Sequence, residues 1–209
     1  MKTYFKIIKY LQESLLAIAI LIMMILPLIL VFNKDNIGSS AISNLYSVSD
    51  VFLFFVMMIR PMADIFTKAK WLRPLVILRK STGVMSASII VSFILAKLMV
   101  DPSGYLGGIL TLKYWSMTNY ALLAHLADIS AVVLIVTSNN LSKDIFGSWW
   151  KKIQKLAYVY FYGSILYVYL SYGSPVLLIM LIIVTAVTIL AFVKNKKREE
   201  QNSLQVSMA

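Results

Sequence analysis

The chain of 209 residues has no cysteine and a single histidine, His125. Without cysteine there is no disulfide, no thiolate metal site and no cysteine nucleophile. The redox compartment is left open by that absence. One imidazole cannot make a histidine-rich metal site. No Walker loop, G-x-G-x-x-G, H-E-x-x-H or G-x-S-x-G pattern occurs, so nothing marks nucleotide hydrolysis, dinucleotide binding, zinc proteolysis or serine hydrolysis. A flavin or nicotinamide module is also missing, so any electron passing through the chain needs a partner to supply it. Acidic residues are few: 9 Asp and Glu stand against 20 Lys and Arg, for a formal net charge of +11.

What the chain has is apolar length. Hydrophobic residues make up 60% of it and mean hydropathy is +0.80, far above a soluble domain. A spanning helix needs about 20 mostly apolar residues. Six runs approach that: Leu15–Phe32, about Leu45–Phe66, Ser81–Val100, Tyr120–Thr137, about Ile153–Tyr172, and Pro175–Val193. They are too long for barrel strands and do not alternate, so helices are expected. The reading is an all-α integral membrane bundle of six transmembrane helices over 1–193. A basic and then polar tail follows at 194–209, its "EEQNSLQVSMA" end expected to be disordered.

The cations set an orientation. The N-terminal tail holds Lys2, Lys6 and Lys9. The loop after the second run holds Arg60, Lys68, Lys70, Arg73, Arg79 and Lys80. The loop after the fourth holds Lys143, Lys151, Lys152 and Lys155, and the C-terminal tail holds Lys194, Lys196, Lys197 and Arg198. Seventeen of the 20 basic residues thus fall on one side, with only Lys34, Lys97 and Lys113 on or near the other. The positive-inside rule places both ends in the cytoplasm of a multi-pass protein of the cytoplasmic, or inner, membrane. That asymmetry accounts for the charge without nucleic acid; the partner it implies is the anionic lipid surface of the bilayer. The basic start "MKTYFKIIKY" with its long apolar run and no A-x-A site reads as a retained anchor. The "NLS" sequon at Asn140 falls on the cytoplasmic side and is discounted.

Several short motifs stand in a recognisable order. Arg60–Pro61 closes the second run. "WLRPL" at Trp71–Leu75 and "LRKSTGV" at Leu78–Val84 open the third. "VTSNN" at Val136–Asn140 closes the fourth, and "WKKIQKLAY" at Trp150–Tyr158 opens the fifth. Over about residues 45–175 this layout resembles the ferric reductase-like transmembrane domain family, in particular its MsrQ-like haem-binding membrane subunits. The resemblance implies transmembrane electron transport through haem b held by histidines of neighbouring helices. The positions where it places those histidines hold Phe93, ten residues after Gly83, then Gln154, and then Tyr167, thirteen residues further on. A bis-histidine haem needs two imidazole nitrogens. Phenylalanine has no lone pair, glutamine is a poor iron ligand, and tyrosinate is an uncommon axial choice. His125 and Tyr167 are the remaining haem-ligand candidates.

His125 lies three residues before Asp128 on one helical face. The pair reads as buried helix–helix glue with Asp128 holding the imidazole, as a proton relay, or as part of a replacement ligand set. Asp50 and Lys97 lie near the outer ends of the second and third runs. The plain reading is that Lys97 snorkels to the headgroups and Asp50 caps a helix; the alternative is that Asp50, Lys97, His125 and Asp128 meet in one outward-facing polar pocket. Arg60 with Asp64, and Lys9 with Glu13, have the spacing of surface pairs. The fifth run carries Tyr158, Tyr160, Phe161, Tyr162, Tyr167, Tyr169 and Tyr172, which read as packing and interfacial anchors; Trp149 and Trp150 fit a belt. The functional expectation is a haem-free membrane scaffold or partner subunit, acting with another membrane or redox protein. The alternatives are an active haem b electron-transfer subunit with unusual ligands, or a small transporter built on the four polar residues.

Overall fold

The computed structural model describes residues 2–33, 36–117 and 120–207. It is all-helical, 88% of it helix, with no strand among the described residues. Among the described residues ten α-helices follow in order: α1 Lys2–Phe32, α2 Ser39–Ile65, α3 Leu72–Leu75, α4 Leu78–Val100, α5 Pro102–Ile109, α6 Ala121–Thr137, α7 Asn140–Phe146, α8 Ser148–Ile153, α9 Leu156–Tyr172 and α10 Pro175–Ser207. A single 3₁₀ turn, Leu112–Trp115, lies between α5 and α6.

Four stretches are long and apolar enough to cross a membrane: Thr3–Phe32, Ser39–Ile65, Leu72–Val100 and Pro175–Gln201. The other two expected spans form helices of 17 residues each, α6 and α9, about 26 Å long at 1.5 Å per residue. Helices rather than strands follow from the solvent: in hydrocarbon each backbone N–H and C=O must be satisfied within its own segment.

The ends of these elements depart from the sequence expectation. The N-terminal basic residues belong to α1 itself, since it begins at Lys2. The helix at the fifth expected span, α9, starts at Leu156, after the separate short helix α8. The tail expected to be disordered instead continues α10 to Ser207. Contacts with the α2–α3 connection explain part of this: Asn195 Nδ2 donates to Asp64 Oδ2 at 3.3 Å, and Arg198 Nη2 to Thr67 Oγ1 at 3.3 Å. Asp64 is therefore engaged by α10, and Lys194 Nζ donates to the Ile65 carbonyl. Lys34 lies outside the described residues, as does the side chain of Lys113.

Helices α2, α4, α6 and α9 surround one core. Helix α4 packs on α2 and α6, α9 packs on α6 and α2, α10 covers α2 and α9, and α1 lies along α4. The core joins Leu53, Val56 and Met57 of α2 with Ala87 and Ile90 of α4. Ala127, Ala131 and Leu134 come from α6, and Tyr160, Phe161 and Ile165 from α9. Small residues set the distances. Ser81, Ser88 and Ser92 of α4 are fully buried, and Ala19 of α1 is fully buried too. The α4 hydroxyls return to carbonyls of their own helix, Ser88 to Met85 at 2.8 Å and Ser92 to Ser88 at 2.7 Å, so they cost little in an apolar interface. Gly163 of α9 is the closest approach, where a β-carbon would lie 3.0 Å from the Leu123 carbonyl oxygen of α6.

Candidate functional site

One set of polar side chains links α2, α4 and α9. Helix α2 begins at Ser39, so Asp50 lies about three turns inside it and is not a cap. Asp50 is 5% exposed and accepts a hydrogen bond from Ser164 Oγ of α9 at 3.2 Å. One residue earlier, Ser49 Oγ donates to the Ser86 carbonyl of α4 at 3.1 Å. The same hydroxyl lies 3.0 Å from Ser86 Oγ and 3.3 Å from the Tyr160 hydroxyl, which is itself 3.0 Å from Ser86 Oγ. Three helices are thus joined by a closed ring of hydroxyls beside a buried carboxylate. Each member has a partner, as buried polar groups require.

Lys97, in the last turn of α4, is exposed, yet its charge acts on both Asp128 and His125 of α6. Tyr46 of α2 lies within electrostatic reach of Asp50 and Asp128. Lys97 acts on His125 and Asp128, whereas Asp50 makes its hydrogen bond to α9.

His125 is held differently from expectation. Its ring stacks on Tyr114 with centroids 3.3 Å apart and planes 9° apart, and Trp115 meets it edge-on at 6.3 Å. Its Nδ1 is buried without a hydrogen-bond partner, so Asp128 does not hold the ring through that nitrogen. The loop between α5 and α6 supplies the packing that sequence spacing assigned to Asp128. Outside the spans, burial and the neighbouring Tyr105 hydroxyl push the Tyr114 hydroxyl above the usual tyrosine range. Burial likewise raises Tyr105. Both stay protonated, so the loop presents neutral aromatics to the imidazole.

The positions where the family resemblance places histidine are each engaged otherwise. Phe93 stacks on Tyr46, centroids 4.6 Å apart and planes 7° apart. Gln154 ends α8, and its Nε2 donates to Thr137 Oγ1 at 3.4 Å, beside the Trp150 Nε1 bond to the Thr137 carbonyl at 2.9 Å. Tyr167 is half-buried near Tyr46. A bis-imidazole haem does not fit this donor set: the single imidazole is stacked against Tyr114 and has no second imidazole to face. Among the described residues no group of three or more His, Cys, Asp or Glu is arranged for a metal ion.

Ser49, Ser86 and Ser164 were missed in the sequence, and Tyr160 was read only as a packing aromatic. Their signal was faint: a serine beside Asp50 in the second run, and hydroxyls in apolar helices where each needs a partner. No family model, curated protein or solved structure matches the chain.

Proposed function

We propose that the chain is a haem-free membrane protein built on the ferric reductase-like plan, serving as a scaffold or partner subunit in the cytoplasmic membrane. It has six spans with both ends in the cytoplasm. The carrying observation is that two of the three positions are committed to neighbours of their own, Phe93 stacked on Tyr46 and Gln154 bonded to Thr137. Two features support six spans. Helices α6 and α9 are at the lower limit of spanning length, and both contribute to the same core as α2 and α4. The orientation rests on the one-sided cations. A partner surface is available along α1, whose Ile18, Leu21, Met24, Ile25 and Leu28 face outward.

The test is an absorption spectrum of the detergent-purified protein with a pyridine haemochrome assay. The expected result is no Soret band that shifts with dithionite. Stoichiometric b-type pigment that disappears in His125→Ala overturns the reading.

One observation favours a second reading, a small proton- or cation-coupled carrier. Asp50 is a buried carboxylate with one hydrogen bond from a hydroxyl, and Lys97 acts on Asp128. Ionisable groups within a bilayer are costly and commonly functional. Reconstituted protein should then show solute or proton flux that Asp128→Asn abolishes while folding survives. Equal flux in the variant removes this reading.

A further inference from the structure

The basic end of the bundle contains a cavity of about 170 Å³ between α2, α4, α9 and α10. Arg60 and Asp64 of α2, Arg79 of α4, Tyr158 of α9, and Thr188 and Asn195 of α10 line it. Three features distinguish it from an ordinary gap at a helix crossing. First, two guanidinium groups from different helices share it, and their charges act on each other. Arg79 is half-buried, so water does not freely screen that repulsion. Second, Asp64, bonded at Oδ2 by Asn195, supplies only one negative charge against the two guanidinium groups. The cavity keeps a positive excess. Third, the Thr188 hydroxyl is buried without a partner. Thr82, Thr137 and Thr185 return their hydroxyls to the carbonyl four residues earlier, at 2.9, 2.7 and 2.7 Å. Thr188 does not, although its helix continues on both sides. An unmade buried hydrogen bond costs about 1–3 kcal/mol unless something completes it.

A tetrahedral oxyanion answers all three features. It accepts forked bonds from two arginines and a further bond from a hydroxyl. Basic pockets between membrane helices on the cytoplasmic side suit anionic lipid headgroups in particular. Phe192, also lining the cavity, is 69% exposed, so the opening carries an apolar edge against which an acyl chain can lie.

The geometry points to a phosphate-binding site in this cavity, held by Arg60, Arg79 and Thr188, that takes the phosphate of an anionic lipid headgroup or a free phosphate. It is independent of haem and of ion handling.

The full chain is placed in nanodiscs of phosphatidylcholine with increasing phosphatidylglycerol, and thermal unfolding is followed. In a second arm inorganic phosphate is titrated into detergent-purified protein. A ligand bound only by the folded state raises the midpoint in proportion to occupancy. Arg60→Gln and Arg79→Gln should each weaken the response about ten- to a hundredfold, as loss of a charged hydrogen-bond donor does. Thr188→Val should weaken it about three- to tenfold while leaving the ligand-free midpoint unchanged or higher, since it removes an unpartnered hydroxyl at constant shape. Lys196→Gln with Lys197→Gln, which removes two exposed charges, should keep most of the response. A response to phosphatidylglycerol alone assigns a headgroup; a response to phosphate in detergent assigns the free anion. No response in either arm overturns the site. Loss as great in the double lysine variant as in the arginine variants also overturns it. If Arg79→Gln does not fold, Arg60→Gln and Thr188→Val decide between the same outcomes.

Discussion

Two glycines in the middle of helices should respond to the same substitution in opposite directions. Alanine in place of a mid-helix glycine gains about 0.5–1 kcal/mol by restricting the unfolded chain. At Gly83 of α4 the new β-carbon would meet Val56 Cγ2 at 3.6 Å, an ordinary contact, so the full gain is expected. At Gly163 of α9 it would stand 3.0 Å from the Leu123 carbonyl oxygen and 3.4 Å from Ala127 Cβ. A carbonyl of the facing backbone cannot rotate away as a side-chain tip can. Helices α6 and α9 must separate by a few tenths of an ångström, and overpacking of this kind costs about 1–3 kcal/mol. The gain is common to both sites, so Gly163→Ala should be less stable than Gly83→Ala by about the overpacking cost, about 1–3 kcal/mol. Thermal or denaturant unfolding of both variants in one detergent measures the gap, with Gly163→Leu as the larger perturbation. If Gly163→Ala proves as stable as Gly83→Ala, the α6–α9 contact is not as close as described. The displacement also has a local reporter, because Ser164 is the next residue and donates to Asp50.

Other expectations are simpler. Tyr160→Phe should cost about 1 kcal/mol, the worth of a buried hydrogen bond, because Ser49 and Ser86 can still bond each other; unfolding measurements check it. Gly173 ends α9 with φ 67° and hands the chain to α10. Gly173→Val should destabilise by about 1–2 kcal/mol through the left-handed backbone alone, whereas Gly173→Asn should cost less. Asn195→Ala with Arg198→Ala removes the side-chain bonds of α10 to Asp64 and Thr67. Limited proteolysis should then cut after Arg198's neighbours faster than in the wild type, with the unfolding midpoint nearly unchanged.

The apolar runs were legible because spanning length is a property of composition, and α1, α2, α4 and α10 contain the runs read from it. Their ends were less so. Lys2 to Lys9 carries charges that hydropathy counts against a helix, yet α1 includes them, since an amphipathic turn at the membrane edge loses nothing by continuing. The polar end of α10 was read as tail because no local pattern announces the long-range bonds from Asn195 and Arg198. The same limit applies to the site. Depth along a helix follows from counting residues, so Asp50, Lys97, His125 and Asp128 were placed at one end. Facing does not, and the spacing of His125 and Asp128 suggested a pair, whereas Tyr114 comes from a loop whose fold the spacing does not encode.

Helix α9 ties several parts of the bundle together. Gln154 sits just before it, tied to the end of α6, and Tyr167 lies half-buried near its far end. Between them lie Tyr160, Gly163 and Ser164, which form the hydroxyl ring, the close approach to α6 and the bond to Asp50. Most of these contacts cross to a different helix, so a change at one end of α9 is felt through a rigid, small-residue interface at the other. A pair of facing imidazoles would need room between helices that Phe93 and Tyr46 now fill by stacking. The packing around these positions is built on the aromatic and amide side chains that are there.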